Sequence, residues 1–256
     1  MEARSAYKRN YRVNKSTSEG TQTAVNDGSV NEDQDTPDTR SPFFTEDVPE
    51  PYSSYWSARR KLAAAMRELQ EQVLTADVSE AEALALTGRI EAETSILAEL
   101  NQVAGVIANA RRKQHGNIAV ANHELLAVGG HSHPGAPGLK IWHEGDETRG
   151  SVQCGWAFEG PPGHVHGGWV AGILDHFMGI AQMRSGQPGM TGSLDIRYHR
   201  PTPLNVALSL RASHEIVSPR RTKVIAEIMH EDKITASAVA LFIRPTSNIF
   251  QGLNTA

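Results

Sequence analysis

Apolar positions change their spacing twice along this chain. Up to about Pro51 they are sparse, and a basic start (Arg4, Lys8, Arg9, Arg12) runs into an acidic stretch (Asp27, Glu32, Asp33, Asp35, Asp38). Such a segment cannot bury enough surface to offset the entropy of fixing its backbone, so residues 1–51 are expected to form a disordered tail. From Tyr55 to Lys113 the spacing is helical. Leu62, Met66, Leu69 and Val73 recur every three or four residues and share one face. A break follows at Thr75–Asp77, and Ser79-x-x-Glu82 has the form of a capping box that opens a second helix. Leu86, Ile90, Leu97, Leu100 and Ile107 form its apolar stripe, and Arg111, Arg112 and Lys113 suit its C-terminal dipole. Residues 52–115 thus read as an antiparallel helical hairpin, either a dimer arm or a pair packed on its own domain. Residues 116–137 read as a linker.

From Gly138 the period falls to two. Leu194, Ile196 and Tyr198 alternate with Asp195, Arg197 and His199; Val206, Leu208, Leu210 and Ala212 repeat the pattern, as do Val224, Ala226 and Ile228. The run Ile234–Ile243 is apolar on both faces, which predicts a central strand. Pro201–Pro203, Ser218–Pro219 and Glu231–Asp232 separate these segments. An earlier hairpin, Lys140–His143 into Ser151–Phe158, turns near Gly145–Asp146. Two strands, one long apolar helix and four strands in meander-like succession give an α+β fold over residues 138–246. Residues 247–256 are left as a C-terminal tail.

Composition narrows the function classes. Of 256 residues 39% are hydrophobic, below the usual share for a compact chain, consistent with a part that does not fold. The net charge of −4 offers no global attraction for nucleic acid or anionic membranes. No apolar run approaches the roughly 20 residues that span a bilayer. The basic start lacks an apolar segment behind it and so does not read as a secretory signal. The lone Cys154 excludes an intramolecular disulfide. A cytoplasmic protein is expected.

The chemistry concentrates in Gly160–Gly179. Its front half is a Gly/Pro loop that permits close backbone approach. Its back half distributes Val170, Ile173, Leu174, Phe177, Met178 and Ala181 around most of a helix, the mark of a buried one. Asp175 within that helix is costly to keep ionised unless compensated, and local rule-breaking of this kind often marks function. Gly167 and Gly168 stand where the helix begins, with unpaired N–H groups and the positive dipole end outward, the design of an oxyanion site. Tight packing of the helix on a strand is the alternative use of these glycines.

His166-Gly167-Gly168, with Asp175 nine positions after the histidine, resembles the HGG-motif, PaaI-type hotdog-fold acyl-CoA thioesterases. Thr191-Gly192-Ser193-Leu194-Asp195-Ile196-Arg197-Tyr198-His199-Arg200-Pro201 resembles that family's second signature. The branch pairing an aspartate with a threonine sixteen residues on is the nearest, as Asp175 and Thr191 do here. Many members carry asparagine six positions before the histidine; this chain has Gly160. The resemblance implies a curved antiparallel sheet wrapped around the helix, and a homodimer, in some cases a tetramer, with acyl-CoA at the subunit interface. It implies Asp175 as general base or nucleophile, Thr191 as its hydrogen-bond partner, glycine N–H groups on the carbonyl, and His166 as support for the loop. No cofactor is implied. Trp169, Phe177 and Met178 are candidates for the acyl tunnel. Arg197, Arg200, Arg220 and Arg221 are candidates for CoA phosphates.

Three other readings compete. Eleven histidines, with His131-Ser132-His133 and His164-Val165-His166 among them, invite a metal. A metal site needs three or four convergent ligands, however, and none is expected. A hotdog domain can also bind acyl-CoA without hydrolysing it, but a pure binder has no use for a carboxylate beside the thioester. Hydratase-type histidine–acid motifs are not evident.

Overall fold

A computed structural model describes residues 51–246. The two expected tails lie outside the described residues, apart from Pro51. Two strands, β1 (Lys140–Glu144) and β2 (Glu147–Gln153), form a hairpin through Gly145, whose φ of +58° lies in the left-handed region. The long helix follows, then four strands: β3 (Met190–Tyr198), β4 (Ala207–Ser218), β5 (Arg221–His230) and β6 (Lys233–Ile243). The six strands make one antiparallel sheet in the order β1-β2-β4-β5-β6-β3. β4 to β6 form the meander, the last turn closing through Glu231 and Asp232, both with φ > 0 as a two-residue hairpin turn requires. β3 departs from simple succession. It crosses to the far side of β6 and becomes an edge strand, which leaves β6 with a partner on both sides.

The helix Gly167–Met183 lies on this sheet. Val170, Ile173, Leu174, Phe177, Met178 and Ala181 are buried at steps of three and four, and they meet the inward positions of the strands. On β6 those positions are Ala236, Ala238 and Ala240, small enough for the helix to seat closely. The expectation of a helix buried on most sides is corrected here. One stripe is buried, and the opposite face, with Ala171, Gly172, Asp175, His176, Gly179 and Ile180, is half-buried.

Four helices precede the sheet: α1 (Ser54–Thr75), α2 (Glu80–Glu99), α3 (Gly105–Arg111) and α4 (Ile118–Leu125); the sheet helix is therefore α5. The Ser79–Glu82 capping box forms as expected, with Ser79 N–H on Glu82 Oε2 at 2.9 Å. The docking of these helices differs from the expectation. The α1 stripe Leu62, Met66, Leu69 and Val73 is exposed, and α2 buries no residue. α1 docks instead through Trp56, Arg60, Ala63, Arg67 and Glu71, which share the opposite face. Trp56 Nε1 donates to the His115 carbonyl at 2.6 Å and Arg67 Nη1 to the His133 carbonyl at 2.9 Å. Arg60 grips Glu124 at 2.6 Å, and Glu71 accepts from the Trp156 N–H at 2.9 Å. Directional bonds from charged side chains set this interface, so apolar periodicity points to the wrong face.

Residues 116–137, expected as a linker, contain α4, and its Ile118, Val120, Ala121, Asn122 and Glu124 are all buried. Asn117 caps the helix by accepting from the Val120 N–H. Among the described residues no helix is long and apolar enough to cross a membrane.

Candidate active site

Asp175 stands on the half-buried face of α5, and Thr191 Oγ1 donates to its Oδ1 at 2.9 Å. That contact depends on an irregularity in β3. Under strict alternation Thr191 would share a face with Ser193, Asp195 and Arg197, on the side of the sheet away from α5. The register against β6 shifts between Thr191 and Ser193. One extra residue, Gly192, reverses the alternation and turns Thr191 toward the helix. Glycine leaves room there for the Ile243 side chain, whose Cδ1 would lie 2.6 Å from a Cβ at Gly192 and would have to move aside.

The other end of α5 holds the glycines. His166 is its N-cap, and its Nδ1 accepts from the Gly168 N–H at 2.9 Å. The ring nitrogen facing Gly168 is therefore unprotonated. The Gly168 N–H is spent on this cap, whereas the Gly167 N–H meets no acceptor among the described residues. Tyr198 Oη donates to the Gly167 carbonyl at 2.9 Å and ties the turn to β3. The preceding loop is folded back by Gly160 N–H to the His164 carbonyl and His166 N–H to the Phe158 carbonyl. A Cβ at Gly160 would come within 2.6 Å of His166 Cα, so no side chain fits at this position.

Asp175 and Thr191 line an open cavity of about 760 Å³. Leu139 and the β1 residues Ile141 and Trp142 line it too, as do Asn122 and His123 of α4 and Leu126 just beyond that helix. His176 faces it as well, seated in a notch that exists because Gly129 has no side chain: a Cβ there would overlap the ring. Burial pushes the His176 imidazole down to about 4, against the opposing pull of the Asp175 carboxylate. His166, Gly167 and Gly168 do not line this cavity. Eight residues of helix, roughly 12 Å of rise, separate Gly167 from Asp175.

The remaining candidates fall elsewhere. Trp169 packs edge-on against Phe158 at 4.8 Å, beside the core. Phe177 and Met178 are wholly enclosed in the core and do not reach the cavity. Arg197 lies in a shallow recess on the outer face of the sheet with Asp195 and Lys223, and Arg200 is exposed just beyond the end of β3. Among the described residues no three His, Cys, Asp or Glu side chains converge as a metal site. Sequence reasoning missed the α4 wall altogether. A short helix whose buried residues include an asparagine and a glutamate carries no apolar period to reveal it.

The thioesterase superfamily profile matches residues 162–237, which span the His166 turn, α5 and the strands up to the middle of β6. Over 94 residues, 36% of this chain, the sequence is 32% identical to acyl-coenzyme A thioesterase THEM4 of Xenopus laevis and 34% identical to that of Mus musculus. Those stretches are 42% and 40% of the relatives, so the chain spans less than half the length of the curated relatives it matches. A crystal structure described as a thioesterase superfamily protein superposes with a TM-score of 0.61 at 27% identity, over 72% of this chain and 94% of that one. Residues 138–246 make up less than half of the chain, so this likeness takes in the helices before the sheet as well.

Proposed function

The sheet-and-helix domain belongs to the thioesterase superfamily, and from that premise we propose that this protein hydrolyses acyl-CoA thioesters to a free acid and CoA. The observation that carries the reading is the Thr191–Asp175 hydrogen bond on the lining of the open cavity. Asp175 acts on the thioester carbon, either by activating water or by direct attack, and the Thr191 hydroxyl orients the carboxylate. The Gly167 N–H receives the developing oxyanion. His166 acts by holding Gly168, and so fixes the direction of its neighbour. That the relatives are named acyl-coenzyme A thioesterases agrees with this assignment.

One chain brings only half of the machinery to each thioester. A carbonyl oxygen and its carbon are bonded neighbours, and roughly 12 Å cannot be bridged by one aspartate side chain. A homodimer with antiparallel α5 helices resolves this, since each Gly167 then faces the partner's carboxylate. β3 supports the arrangement: it has a strand on one side only, and its residues are largely exposed. Arg200, past the end of the strand that carries Tyr198, meets the CoA phosphates, while Arg197 points away. We place the reaction in the cytoplasm, in keeping with the single cysteine.

The test is thiol release from a series of acyl-CoAs and aryl-CoAs by the wild type and Asp175→Asn. Turnover by the first and its loss in the second, with substrate still bound, is expected. Binding of acyl-CoA with no turnover by the wild type would make this a binding module instead.

A further inference from the structure

Part of the cavity lining is polar where an acyl tunnel would be greasy. Asn122 lines the cavity from the middle of α4; the residue is 2% exposed, and its Nδ2 has no hydrogen-bond partner. A buried amide donor left unpaired is destabilising, and native proteins rarely tolerate it without use. The neighbours on this wall are imidazoles: His123 and His131, with ring centroids 4.5 Å apart, and His143 across the cavity on β1.

α4 is held in place firmly enough for Asn122 to discriminate. The Glu124 side chain, wholly buried, accepts from Arg60 of α1 and from Ser132 Oγ at 2.6 Å, while its carbonyl accepts from the Ser132 N–H at 2.9 Å. The turn after α4 then meets α5, with Gly129 against His176 and Val128 beside Gly172. Residues outside the sheet domain therefore line part of the cavity, and their turn packs on α5 beside Asp175.

We propose that Asn122 is a specificity residue that selects acyl groups bearing a hydroxyl. This rests on the acyl-CoA hydrolase reading and names its substrate class. A half-turn of the carboxamide exchanges its donor and acceptor atoms. A hydroxyl, itself both donor and acceptor, satisfies whichever atom faces the cavity. A plain alkyl chain satisfies neither and leaves the amide unpaired, and sites built to bond a hydroxyl reject the analogue that lacks it.

The experiment compares straight-chain acyl-CoAs of four to ten carbons with their ω-hydroxy counterparts. At the length that fits the cavity, the wild type should favour the hydroxylated member in kcat/KM by about tenfold or more. Asn122→Leu, nearly isosteric, should lower kcat/KM for that substrate and raise it for the plain one, collapsing the ratio; Asn122→Ala serves if the leucine variant does not fold. A parallel calorimetric titration with free ω-hydroxy acids and plain fatty acids reads the same preference without turnover. No preference at any length, or a preference that survives both substitutions, overturns the proposal. If no thioester is hydrolysed but hydroxy acids bind through Asn122, the hydrolase reading falls and the assignment of this wall stands.

Discussion

Thr191 Oγ1 donates to Asp175 Oδ1 at 2.9 Å because a bulge at Gly192 turns β3 over at that point. If the hydroxyl orients the carboxylate, Thr191→Val should lower kcat by about tenfold while KM changes little, and Thr191→Ser should restore most of it. Asp175→Asn should lower kcat by at least about 10²-fold. Steady-state thiol release gives all three values. Equal rates for the valine and serine variants would remove the hydroxyl from the mechanism.

The separation of Gly167 from Asp175 predicts complementation between subunits. Gly167→Pro removes the N–H at the first position of α5, where proline is compatible with a helix. This variant and Asp175→Asn should each be inactive alone. Co-expressed and purified as tagged heterodimers, they should recover activity, since one of the two sites is then intact. Verified heterodimers no more active than either parent would disprove the shared site.

The Arg60–Glu124 pair predicts a large loss of stability on truncation of one side. Glu124 is wholly buried and the Arg60 side chain is 18% exposed. Arg60→Met strands a buried carboxylate and should cost about 3–5 kcal/mol in urea unfolding. Replacing both residues with methionine should cost less than Arg60→Met alone. A single-variant loss below 1 kcal/mol would show that α1 contributes little to holding α4.

His176 predicts a specific acid sensitivity. Its folded-state value of about 4 lies below the ordinary 6.5, so the fold favours the neutral ring. That contribution is complete above 6.5 and is lost as pH falls from there through about 4, where the unfolded chain takes up the proton first. His176→Gln should therefore lose less stability than the wild type over that interval, as read by urea midpoints at each pH. Parallel curves for the two proteins would show that the imidazole is not held neutral by the fold.

Local pattern was enough for much of the fold. The two-residue period yielded β3, β4 and β5, the run apolar on both faces yielded β6, the glycine-headed apolar run yielded α5, and Ser79–Glu82 gave the start of α2; the second strand of the first hairpin was expected at Ser151–Phe158 and instead runs Glu147–Gln153. Each of these is set by neighbours a few residues apart. The HGG turn and Asp175 were legible for the same reason: helix start and carboxylate share one element.

The rest depended on which elements meet. Nothing in the alternation of residues 190–198 says that β3 pairs with β6 rather than β4, or that a bulge aims Thr191 at Asp175. Apolar spacing marked the wrong face of α1, because Arg60, Arg67 and Glu71 dock it through bonds whose partners lie some sixty to eighty-five residues away. α4 went unseen because its buried polar residues, Asn122 and Glu124, look solvated until the chain folds around them. Short-range periodicity records which side of an element is apolar. Only the tertiary structure decides what each polar group faces, and in this protein those groups build the cavity.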